Sequence, residues 1–176
     1  MRRPATLSKA FLTTVIVLGM CLLLYSLLPR GPEYLDTPPP EFHDFVAVIP
    51  TPVGAIELTT KVDRRVAPKE TCTYFNHMRL YGTDIDFTSV KQDYLTQLST
   101  WEGKWLVSYN DANSITIVFG NTSLASIFDL TENLPLARLT VGETAYLDAK
   151  ESFSTVFLVS LEHGYGNCKP IPDWGE

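Results

Sequence analysis

Residues 10–28 read AFLTTVIVLGMCLLLYSLL and carry no charged side chain. A helix rises about 1.5 Å per residue, so a run of this length matches a hydrocarbon core of about 30 Å. Inside lipid every backbone amide must be satisfied within the segment, which requires a helix there. The sequence therefore predicts a transmembrane anchor over 10–28, with residues 1–9 as a short cytoplasmic tail. A cleaved signal peptide is the main alternative, but no small-residue cleavage pattern follows the run. Cys21 follows Leu18-Gly19-Met20, a poor lipidation box because Met20 is not small.

Charge sets the orientation. Arg2, Arg3 and Lys9 precede the apolar run and Arg30 follows it. Positive flanks stay cytoplasmic, so the remainder is expected on the far side of the membrane. All 20 acids follow residue 30, against ten of the 14 Lys and Arg. A body carrying about −10 repels phosphate backbones, which argues against nucleic acid as a partner. The expected setting is a bacterial inner membrane with the C-terminal part in the periplasm. A eukaryotic secretory or a mitochondrial inner membrane stays open as an alternative.

Seven of the 12 prolines fall in residues 29–52. Pro38-Pro39-Pro40 favours polyproline II, and the stretch reads as a semi-rigid stalk. Within it, Phe45–Ile49 is apolar and is expected as an edge strand or as a segment packed on the body.

From residue 53 to 176, period-two alternation dominates. Strands are expected around Ile56–Asp63, Cys72–Leu80, Trp105–Tyr109, Ile115–Phe119 and Phe153–Leu161, with a weaker candidate at Leu136–Val141. Ser89 and Gln92 form a capping-box pattern ahead of Val90, Tyr94, Leu95, Leu98 and Trp101 at helical spacing, with Gly103 as a stop. A second short helix is expected over Thr122–Leu130. The fold class is thus α+β: a transmembrane helix, then a mainly antiparallel sheet of five or six strands packed with one or two short helices.

Cys72 and Cys168 lie near the two ends of the exported part. An oxidising compartment would join them in a disulfide. The rival is a zinc site from Cys72, His77, His163 and Cys168. Cys72 and His77 are an odd number apart on one expected strand, which points them to opposite faces. Asp84 and Asp86 flank Ile85 just before the main helix and are expected as turn and helix-terminus acids, with acid–base work or calcium as the alternative. Asn121-Thr122-Ser123 is a glycosylation sequon, relevant only in a eukaryotic secretory pathway. No phosphate-binding glycine loop, His-Glu-x-x-His helix or Gly-x-Ser-x-Gly elbow is present, and nothing calls for a cofactor.

The layout favours an accessory protein that binds and stabilises or regulates a membrane or periplasmic protein while anchored in the bilayer. Such a role predicts an exposed apolar patch or an unpaired sheet edge. A small-ligand module would need a deep apolar pocket. A membrane-anchored hydrolase would need His77, His163 or the Asp84/Asp86 pair to converge in a cleft.

Overall fold

The computed structural model describes residues 34–67, 72–100, 105–120, 122–166 and 168. The chain divides into two units between Glu33 and Tyr34, and every described residue belongs to the second. The anchor expected at 10–28 lies outside the described residues, as do Cys21 and Asn121. No helix among the described residues is long and apolar enough to cross a membrane.

Six strands form one antiparallel sheet: β1 (Ile56–Ala67), β2 (Cys72–Thr83), β3 (Trp105–Asn110), β4 (Ser114–Phe119), β5 (Ser123–Asp129) and β6 (Thr155–Gly166). Their spatial order is β1-β2-β6-β5-β4-β3, so the last strand in sequence lies in the middle and β1 and β3 are the two edges. β2 and β6 pair without interruption from Cys72↔Gly166 to Thr83↔Thr155. Both edge strands carry a bulge, at Glu57/Thr59 in β1 and at Val107/Tyr109 in β3.

The helices among the described residues are α1 (Pro40–Val48), α2 (Phe87–Ser99), α3 (Leu134–Thr140) and α4 (Glu143–Ser152). They divide between the two faces of the sheet. Phe42 and Val46 of α1 and Val90, Tyr94 and Leu98 of α2 pack with Phe75, Tyr81, Ile117, Ile127, Phe157 and Leu161 on one face. Ala137 of α3 and Tyr146 and Ala149 of α4 pack with Met78, Leu80, Val156 and Leu158 on the other. β6 is apolar on both sides for this reason: Phe157 and Val159 serve one core, Val156 and Leu158 the other.

Several sequence expectations need correction. The stretch read as a proline stalk contains α1. Pro39 is its N-cap residue and a proline occupies its first turn, where the missing N–H costs nothing. Phe42, Val46 and Ile49 then fall at helical spacing and are buried, so this stretch belongs to the folded body. Thr122–Leu130, expected as a helix, contains β5. Leu124, Ile127 and Phe128 happen to sit at helical spacing, but Ala125 and Ile127 face one core while Phe128 faces the other. Leu136–Val141, expected as a weak strand, is mostly α3. The Asn133 side chain accepts from the Leu136 amide at its start, and Pro135 lies in the first turn. α4 was not anticipated, so the helices exceed the one or two expected. α2 starts at Phe87, with Asp86 rather than Ser89 as its cap: Asp86 accepts from the Ser89 amide at 3.0 Å.

Lys91 ties α2 to the sheet. It is buried, and its ammonium donates to Asn110 Oδ1 and to the Asp111 carbonyl in the β3–β4 turn. Asp111 shapes that turn by accepting from the amides of Asn113 and Ser114.

Candidate functional site

Cys72 and Cys168 are joined in a disulfide across 96 residues of sequence. Cys72 is fully buried at the start of β2. The bridge needs Gly164 beside it, because a Cβ there would lie 2.6 Å from the Cys168 sulfur and 2.9 Å from the Tyr74 ring. Bonded to each other, the two sulfurs supply neither zinc thiolates nor a nucleophile. No group of three His, Cys, Asp or Glu among the described residues is placed to hold a metal ion.

His77 and His163 stand on the opposite sheet face from Cys72, the face covered by α1. His77 is held at both nitrogens. Arg79 Nε donates to Nδ1 at 3.2 Å, so Nδ1 is unprotonated. Nε2 therefore carries the proton and donates to Thr60 Oγ1 at 2.9 Å, and that hydroxyl passes its own proton to the Met78 carbonyl at 3.2 Å. Burial first, then the Arg79 charge, holds the His77 pKa below its ordinary value. The Arg79 guanidinium also donates to the Val46 carbonyl at 3.2 Å, one of the acceptors left open in the last turn of α1. Glu57 lies 4.0 Å from Arg79 and accepts from the Tyr81 hydroxyl at 3.3 Å.

His163 bonds through Nδ1 to the Ser123 hydroxyl. Its ring packs against Tyr165, with centroids 4.4 Å apart, and against Phe45 of α1 at 5.7 Å. Burial lowers its pKa, with Glu41 opposing. A Ser–His pair is a nucleophile–base geometry in principle. Here Ser123 is only 6% exposed, so its hydroxyl faces the fold rather than a substrate.

His43 lies exposed on α1, close enough for its charge to bear on His77. Asp86 is spent on the α2 cap, and Asp84 accepts from the Ser154 amide at 3.4 Å. The histidines and the aspartates thus do not share a cleft. The gathering of histidines around α1 escaped sequence reasoning because it depends on β2 and β6 being neighbours.

Two open grooves occur among the described residues. One, of about 320 Å³, is lined by Asp63, Arg64, Arg65, Tyr74, Asn76 and Glu162. Arg65 stacks over the Tyr74 ring at 4.7 Å and reaches Glu162 at 3.4 Å. The other, of about 440 Å³, runs past Val48, Pro50 and Leu98, with Thr96, Gln97 and Thr100 beside them. Neither is an enclosed apolar cavity of the kind that buries most of a small ligand.

The edges of the sheet differ in chemistry. β1 exposes Ile56, Leu58 and Val62 but interleaves them with Lys61, Asp63, Arg64 and Arg65. Charges on an edge strand discourage another strand from pairing. β3, Trp-Leu-Val-Ser-Tyr-Asn, has no charge at all. Leu106, Val107 and Tyr109 stand 42%, 39% and 52% exposed along it. Comparison of the chain with protein-family models, curated proteins and solved structures finds no match.

Proposed function

We propose that this chain is a single-pass membrane-anchored accessory protein whose exported body binds a partner protein and stabilises or regulates it. One observation carries the reading: the unpaired, uncharged β3 edge with Leu106, Val107 and Tyr109 exposed. An edge strand of this kind is a liability for a free protein and a docking element for a bound one. The bulge after Val107 limits how far another strand can run along it, so side chains rather than a long hydrogen-bonded ladder dominate the contact.

The apolar run at 10–28 and its basic leading flank support the anchor and its orientation. The Cys72–Cys168 disulfide supports an oxidising compartment for the body. Tethering to a membrane shared with the partner raises the effective concentration to roughly millimolar for a short linker, so even a small patch suffices for stable occupancy.

The test is a photoreactive residue placed at Val107 in the full-length chain in its native membranes, with a second placed at Lys150 on α4 for comparison. One discrete protein adduct from position 107, absent from position 150, is the expected result. Equal or absent crosslinking from both positions overturns the reading.

A further inference from the structure

Three histidines occur in the sequence, at 43, 77 and 163, and the fold brings all of them to one interface: the seat of α1 on the sheet. His77 anchors the C-terminal end of α1 indirectly. Its bare Nδ1 receives Arg79 Nε, and the same guanidinium holds the Val46 carbonyl. His163 lies under the middle of α1 against Phe45. His43 rides on α1 itself, beside Phe42 with ring centroids 6.1 Å apart. We propose that α1 is an acid-released strap, seated while His77 and His163 are neutral and loosened when both take up protons.

The hydrogen bonds give the reason. A proton on His77 Nδ1 replaces an acceptor with a donor opposite Arg79 Nε, which ends that bond and places two cations in contact. Arg79 must then turn away, toward Glu57 at 4.0 Å, and its hold on Val46 weakens. A charged His163 is poorly solvated between Phe45 and Tyr165.

The other groups facing the seat modulate this. Glu57 from β1 and Glu41 from α1 favour the charged rings, while Arg79 and His43 oppose a charge on His77. From α2, Tyr94 presents a buried hydroxyl and Asp93 is engaged by the Val53 amide. Thr60 and Ser123 follow whichever tautomer the rings adopt. Arg64 of β1 fastens the chain just before α1, through the Leu35 carbonyl and Asp36, and carries no titration in this range. Both ring pKa values are lowered in the seated state. The released state therefore binds more protons, so the seat is complete above the ordinary histidine value of about 6.5 and is lost as pH falls below it. Release exposes the apolar seat of Phe42 and Val46, and it adds the stretch from Tyr34 to Ala55 to the chain that precedes β1.

The experiment uses the full-length chain in mild detergent. Amide exchange is followed at Phe42–Ile49, corrected for intrinsic rate, between about pH 7.5 and about pH 5. The expected result is a loss of protection in α1 of about tenfold for each unit by which the rings are depressed, with β2 and β6 unchanged. Imidazole resonances of the unmodified protein should titrate over the same range. A His77→Gln, His163→Gln double variant, neutral but still able to accept and donate, should keep α1 protected throughout. The proposal is overturned if the rings charge while α1 stays protected, if α1 and the central strands lose protection together, or if the double variant keeps the pH dependence. Should that variant fail to fold, the titration and exchange of the unmodified chain decide alone.

Discussion

Phe153, the residue that closes α4, lies directly against the backbone of Gly82 in β2: a Cβ built on Gly82 would fall 2.2 Å from its ring. Phe153 is part-buried and caps the end of the second core. Gly82→Ala is therefore expected to cost about 1–3 kcal/mol through forced displacement of that ring. Urea unfolding at constant pH measures it. Adding Phe153→Leu should recover part of the loss, and an equal loss in both variants would show that the clash is not the cause.

Removing the disulfide tests the tie between the two ends of the body. Cys72→Ser is expected to lower stability by about 2–5 kcal/mol, since the bond closes a loop of nearly the whole described domain. The unmodified protein should run faster on a non-reducing gel than after reduction, and the variant should show no such shift.

Glu162 gives a pH-dependent prediction of opposite sign to the histidines. Burial raises its pKa, only partly offset by Arg65. An acid with a raised folded value is destabilising once ionised, and the penalty grows as pH rises from the ordinary glutamate range through the folded value. Glu162→Gln should therefore stabilise the body at neutral pH and lose that advantage near pH 4. Paired urea titrations at the two pH values check this.

Tyr94 is 1% exposed, and its hydroxyl has no hydrogen-bond partner among the described protein groups. Burial pushes its pKa well above the usual tyrosine range. Tyr94→Phe removes an unsatisfied group while keeping the ring that packs on the core, so it should raise stability by about 1 kcal/mol. A destabilised Phe variant would reveal a partner for the hydroxyl.

On β3, Leu106→Ser with Tyr109→Ser should change stability by no more than about 0.5 kcal/mol, because both side chains are largely exposed. The same double variant should abolish crosslinking from position 107. Stability loss well beyond that range would place these residues in the fold rather than in a docking surface.

The legible parts of the sequence were those where one periodicity dominates. Ile56–Asp63 and Ile115–Phe119 alternate cleanly and lie within strands. The Cys72–Cys168 pairing followed from position and chemistry alone. β5 was misread because a strand buried on both faces loses its alternation, and Leu124, Ile127 and Phe128 then mimic a helix stripe. α1 was hidden by prolines that begin a helix as readily as they forbid one. The histidine gathering was invisible for a different reason. Residues 43, 77 and 163 meet only because β6 inserts beside β2, and no local pattern records strand order.

That insertion has a consequence for biogenesis. Until residues 155–166 emerge, the β1–β2 hairpin and the β3–β4–β5 meander share no strand, and each leaves a raw inner margin. The sheet is zipped from its centre by the last strand made, so the nascent chain must stay unassembled until synthesis is nearly finished. Any product cut short before Thr155 would carry two orphan half-sheets, prone to pairing with strangers.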